Sequence, residues 1–260
     1  MRNPFLRIKD KRVGLCRKMG EIQVDVQEPI AIVTISRPDK LNSVTWEMLR
    51  DFDTKIGELF ENPKLLGILF TGEGEKAFSA GFDREMVEAL EGQDHFDFFR
   101  LLEKAIKRFQ SNRRCITLAA CNGFAIGFGA ILAVSCDFRF FSENAVFCLP
   151  EILIGVFPGA GASSYLLHIV GPSRAKDILM TGRKVDAEEA YEIGLANRIL
   201  KMNQLIPESM KFLKEITSHN RVILGKIKSL LDEITDIDFE KAAEIERDYF
   251  FKWLNERKSA

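Results

Sequence analysis

An α/β fold is predicted for this chain by three observations. Short apolar runs are bounded by turn residues, helical periodicity fills the stretches between them, and helical periodicity alone dominates towards the C-terminus. Ile22, Val24 and Val26 alternate with polar residues, and after Pro29 the run Ile30–Ile35 is β-branched, so two strands joined by a turn open the fold. From Val44 to Phe60 the residues Met48, Leu49, Phe52, Ile56, Leu59 and Phe60 recur at three and four positions, the mark of one buried helical stripe, and Pro63 stops it. Gly67–Phe70, Ile116–Ala120 and Phe138–Phe141 are further strand candidates, with helical patterns at Phe96–Phe109 and Ala130–Val134. From Ser173 onwards the periodicity is helical, and Ile206–Ile216, Arg221–Ile234 and Phe239–Leu254 are amphipathic. The expected organisation is a basic N-terminal extension (1–18), a core (19–200) and a C-terminal helical region (201–260).

With 260 residues, 46% hydrophobic and 29% charged, the chain has enough apolar surface for one sizeable core. A net charge of −1 supplies no global field for nucleic acid or an anionic membrane. The longest apolar stretches, Ala125–Val134 and Ile152–Phe157, are interrupted by Gly or Pro and fall short of the roughly 20 residues that span a bilayer. Five cysteines without a CxxC pair signal neither a disulfide framework nor a metal site, so reduced thiols in a cytoplasmic protein are expected. Residues 2–18 carry seven basic side chains against Asp10 alone and lack the apolar core of a secretory signal.

Three segments carry candidate chemistry. Lys76–Asp83 follows a strand and opens a helix; its small residues Ala80 and Gly81 let a ligand approach the backbone, and free N–H groups at the helix entrance suit an oxyanion. Cys121–Ala130 repeats that arrangement, so two turns can aim two N–H donors at one carbonyl oxygen. Taken alone, the first is also readable as an ordinary strand-to-helix turn, and the second equally as close helix-to-strand packing. The third segment, Leu149–Gly161, contains Glu151 in an apolar neighbourhood, where burial raises a carboxyl pKa towards that of a general base working near neutrality. A lone glutamate in such a run is more often a salt-bridge partner. Gly159-Ala160-Gly161 lacks the third glycine of a dinucleotide fingerprint, and His95, His168 and His219 stand near no Gly-x-Ser-x-Gly elbow.

Together the segments resemble the crotonase superfamily, also called the enoyl-CoA hydratase/isomerase family. The likeness runs from Arg37–Ser43 through the Ala-Gly-x-Asp and Asn-Gly-x-Ala-x-Gly turns, Cys136-Asp137, the Pro-Glu-x-x-x-Gly run and Gly182-Arg183 to Ala187–Ala196. The resemblance implies a spiral of ββα turns with a C-terminal helical trimerisation region, a homotrimer or dimer of trimers, and an acyl-CoA thioester as substrate. CoA enters only as part of that substrate; no other cofactor and no metal is implied. By position, the oxyanion donors are the N–H groups of Phe82 and Phe128, and the ester lies along Lys40, Ala80, Gly81, Phe82, Asp83, Gly127 and Gly159. Relatives often have glycine where Phe128 stands, so either its ring turns away from the thioester or the pocket narrows. Family hydratases use two glutamates; Glu151 matches one, and Ile131 occupies the place of the other.

An aliphatic residue with a single glutamate is the pattern of the family's Δ3,Δ2-enoyl-CoA isomerases, in which one carboxylate moves a proton from C2 to C4. Isomerisation is therefore the favoured reading, with hydration, decarboxylation or thioester hydrolysis as alternatives, and a non-catalytic binding protein as a reading of another class. Asp83 is expected to be chiefly structural at its turn, Asp137 to pair with a nearby arginine, and Phe250, Phe251 and Trp253 to serve packing.

Overall fold

The computed structural model describes residues 20–258, so the basic segment 1–18 lies outside the described residues. β1 (Glu21–Gln27) and β2 (Ile30–Ser36) form the expected antiparallel hairpin. α1 (Trp46–Glu61) starts at Thr45, whose hydroxyl accepts from the Met48 N–H, and buries Met48, Leu49, Phe52, Ile56 and Leu59. It stops before Asn62 because a residue preceding proline is driven into extended backbone, as Asn62 is.

Three strand pairs follow, each leading into helix. β3 (Gly67–Gly72) and β4 (Ala77–Ser79) precede α2 (Arg84–Glu88) and α3 (Gln93–Ser111). β5 (Ile116–Cys121) and β6 (Phe124–Ile126) precede α4 (Phe128–Ser135). β7 (Phe138–Ser142) and β8 (Val146–Cys148) precede a 3-10 turn (Glu151–Ile154) and α5 (Ala162–Thr181). The first strand of each pair joins one sheet and the second joins another, which gives the ββα spiral. The larger sheet runs β1-β2-β3-β5-β7-β10 and is parallel except at β1; the smaller runs β4-β6-β8-β9. β3 and β5 are buried on both faces, so they read as continuous apolar runs rather than alternating ones.

Five short strands carry no strand signal of their own in the sequence. β4, β6 and β8 have three residues each, too few for a period-2 signal. β9 (Val185–Asp186) and β10 (Arg198–Leu200) lie beyond Ser173, where helical periodicity dominates the sequence; they flank α6 (Ala187–Glu192) and complete the two sheets. α5 also begins well before Ser173, and Gly171-Pro172 kinks it, with Gly171 at φ 78° and ψ 168°.

α7 (Met202–Thr217), α8 (Arg221–Ile234) and α9 (Phe239–Lys258) end the chain. One core packs α1, α3, α4 and α5 against the sheets; a second lies across the other face of the large sheet, where Leu205, Met210 and Leu213 of α7 cover Ile30, Leu69, Ile116, Leu118 and Phe140. Asp137 departs from expectation: its partner is lysine, Lys228 of α8, at 2.6 Å, because α8 rather than an arginine-bearing loop packs at the start of β7. Phe250 and Trp253 line a groove of about 370 Å³ between α8 and α9, and Phe250 and Phe251 are half exposed.

Candidate active site

Two buried asparagines hold the turn after β3. Asn42 donates its amide to the Ala77 and Glu73 carbonyl oxygens at 2.7 and 3.0 Å and accepts from the Arg37 N–H. Asn122 donates to the carbonyls of Gly72 and Gly74 and accepts from the Gly72 N–H. Both amides substitute for backbone pairing where the chain crosses between sheets, which is how buried backbone groups are satisfied in a turn. In the sequence they stand only as members of motifs; Asn122 is followed at once by Gly123, a local signal for this role, whereas Asn42 has no glycine near it and its role is set by contacts with Glu73 and Ala77 far along the chain.

The turn that follows β4 is fastened on the other side. Ser79 donates its hydroxyl to the Asn42 carbonyl and accepts from the Gly81 N–H. Phe82 forms a single parallel bridge with Val44: the Val44 N–H donates to the Gly81 oxygen, and the Asp83 N–H donates to the Val44 oxygen. That bridge uses the groups flanking Phe82, and its own N–H has no acceptor among the described residues. Phe128 is the first residue of α4, so its N–H has no intrahelical partner, and Gly127 before it offers no side chain to accept it.

The two turns approach each other closely. Gly81 (φ 97°) and Gly127 (φ 51°) lie in the left-handed region that glycine tolerates. A methyl group on Gly81 would sit 3.2 Å from the Ile126 oxygen and 3.7 Å from the Phe128 nitrogen; one on Gly127 would sit 3.7 Å from Gly81 Cα and 4.0 Å from Glu151 Oε1. Gly81, Gly127, Phe128 and Glu151, read from three separate segments, therefore meet in one place.

Glu151 opens the 3-10 turn that follows β8. Its Oε2 is buried without a hydrogen-bond partner, and no described residue forms an ion pair with it, so the salt-bridge alternative does not hold. Burial raises its pKa above the ordinary glutamate value, opposed only by its own backbone N–H. Nearby Cys148 is raised by burial and by the Glu151 charge. Ile131, one helical turn into α4, is buried.

The remaining residues divide. Ala80 lies in the first turn, its N–H donating to the Leu41 oxygen. Lys40 is exposed on the neighbouring turn, close enough for its charge to act on Asp83. The Asp83 carboxylate caps α2 through the Met86 N–H and pairs with Arg37 at 2.6 Å, the turn-building role expected of it. Gly159 stands apart on an exposed stretch, with nothing within 4 Å of where a side chain would begin. The Phe128 ring is turned into the core, 1% exposed. The four described cysteines are buried free thiols, and no cluster of potential metal ligands occurs among the described residues. No helix among them is long and apolar enough to cross a membrane.

With these turns and this carboxylate in view, comparison with known proteins is decisive: the model of the enoyl-CoA hydratase/isomerase family matches residues 25–260. The chain belongs to that family. A crotonyl-CoA hydratase of Syntrophomonas wolfei is 32% identical over 88% of both chains, and a short-chain-enoyl-CoA hydratase of Clostridium acetobutylicum is 31% identical over 90% of this chain and 89% of that one. Among solved structures, an enoyl-CoA hydratase from Bacillus anthracis superposes with a TM-score of 0.84 at 25% identity, covering 88% of this chain and 89% of the other. A Thermobifida fusca protein solved in complex with CoA gives 0.82 at 27% identity, covering 92% and 95%. The ββα spiral is thus the crotonase fold, and the protein is an enzyme of the enoyl-CoA hydratase/isomerase family.

Proposed function

We propose that this family member is a Δ3,Δ2-enoyl-CoA isomerase. The thioester oxygen accepts from the N–H groups of Phe82 and Phe128, which stabilise the negative charge that forms when C2 loses a proton. Glu151 takes that proton, the double bond shifts as the electron pair moves towards C4, and the same carboxyl returns the proton there; atoms and charge balance with no water consumed. The observation that carries this reading is the Glu151 carboxylate, whose Oε2 is buried without a partner at the edge of two closely approaching glycine turns, with Ile131 rather than a second acid on α4. A single carboxylate suffices for proton return, whereas hydration needs a base for water and an acid for carbon.

Hydration is the second reading, supported by the printed names of the relatives at 31 and 32% identity. Incubation with 3-enoyl-CoA and 2-enoyl-CoA, followed by mass and ultraviolet absorbance, separates the two. Isomerisation leaves the mass of 3-enoyl-CoA unchanged while conjugated absorbance rises; brisk addition of one water to 2-enoyl-CoA, with 3-enoyl-CoA untouched, overturns the proposal. Glu151→Gln is expected to lower kcat by about 10²- to 10⁴-fold while CoA-ester binding, read as a rise in Tm, persists. A Tm shift without turnover by the wild type would instead mark a binding protein. A homotrimer or dimer of trimers belongs to the same proposal and is read by sedimentation.

A further inference from the structure

Both residues proposed to donate to the oxyanion carry phenyl rings, and the rings touch each other. Phe82 and Phe128 have centroids 5.2 Å apart at 40°. Phe128 meets Phe52 of α1 edge-on at 5.5 Å, and Phe82 meets Phe98 of α3 at 4.7 Å. Phe98 in turn meets Trp46, the first residue of α1, at 5.8 Å. The sequence of contacts Phe52, Phe128, Phe82, Phe98, Trp46 thus leaves α1 and returns to it. The backbones of Gly81 and Gly127 run close together, since a methyl group on Gly81 would lie 3.8 Å from Gly127 Cα. Such an approach alone resists sliding poorly, because neither residue has a side chain to interlock.

We infer that the Phe82–Phe128 ring pair is a positioning device that sets the separation and aim of the two backbone donors, an inference that rests on the proposed function. Each ring hangs from the Cα that also carries the N–H it would govern, so a backbone rotation that re-aims either donor must carry its packed ring with it, and the packing resists that rotation. Aromatic pairs of this geometry add to simple burial, and the closed circuit ties them to a helix that contributes nothing to the chemistry. Geometry of this kind matters for rate, since a misplacement of about 1 Å costs on the order of a hundredfold.

The test uses the full chain with acetoacetyl-CoA as probe, whose enolate absorbs in the ultraviolet and is favoured when two donors hold its thioester oxygen. Phe82→Ala and Phe82→Leu are compared with Phe109→Ala, which removes a ring of the same core that meets Phe52, Phe60 and Phe70 but has no ring contact with Phe82 or Phe128. For Phe82→Ala we expect kcat on 3-enoyl-CoA to fall by about ten- to a hundredfold with KM within about threefold, and the pH at which bound acetoacetyl-CoA ionises to rise. Phe82→Leu should recover part of both. Phe109→Ala should lower Tm and leave both unchanged. Equal kcat and an unmoved ionisation in Phe82→Ala, or losses in Phe109→Ala matching its own, overturn the inference. Should the wild type neither turn over 3-enoyl-CoA nor bind acetoacetyl-CoA, the proposed function itself falls, an outcome distinct from either.

Discussion

Burial destabilises the charged form of Glu151. Its pKa is raised first by burial, with only its own backbone N–H acting the other way. Two consequences follow from the sign. A base must be ionised to accept a proton, so kcat/KM should fall on the acid side with a midpoint above the ordinary glutamate value of 4.5. For stability the native state binds this proton more tightly than the unfolded chain, so the contribution is complete below the unfolded pKa and is lost as pH rises through the folded one. Denaturation midpoints measured upwards from pH 4.5 should therefore decline more steeply for the wild type than for Glu151→Gln. Parallel curves would show that the carboxyl is not desolvated. The residue itself was legible in the sequence as a lone acid in an apolar run; that it lacks a partner was not, because partners come from distant segments.

At the scale of elements, legibility followed length. α1, α3, α7 and α8 carry enough turns for their apolar stripes to show, whereas β4, β6 and β8 have three residues each and are defined by their neighbours in the sheet. The attachment of α8 was equally hidden, since Asp137 and Lys228 are 91 positions apart. Lys228 is buried and donates to both Asp137 oxygens and to the Cys115 carbonyl, while Asp137 also accepts from the Thr117 N–H and hydroxyl. Lys228→Ala strands a largely buried carboxylate and should cost about 2–3 kcal/mol, below what breaking a fully buried pair costs because Asp137 retains some access to water. A shift in the urea midpoint with unchanged slope, together with faster amide exchange in α8, would bear this out. Unchanged stability would mean that α8 is held by its apolar face alone.

For the whole molecule, the question is whether the chain divides near Leu200, as the loss of strand signal there leads one to expect. The large sheet is apolar on both faces, and one face is covered by α7: Leu205, Met210 and Leu213 lie over Ile30, Leu69, Ile116, Leu118, Ala120 and Phe140. Parallel sheets persist when both faces are covered, so α7 is part of the core in the energetic sense even though it follows the last strand. Burial of a large aliphatic side chain is worth about 1.5–3 kcal/mol, and three such losses approach the whole stability of an ordinary domain. A chain ending at Leu200 should therefore lack a cooperative thermal transition and bind a hydrophobic dye. One ending at Ser218, which keeps α7 and loses only α8 and α9, should melt cooperatively at a lowered temperature. A sharp transition in the shorter chain would place the boundary at Leu200 after all, and would mean that α7 docks onto a sheet already stable without it.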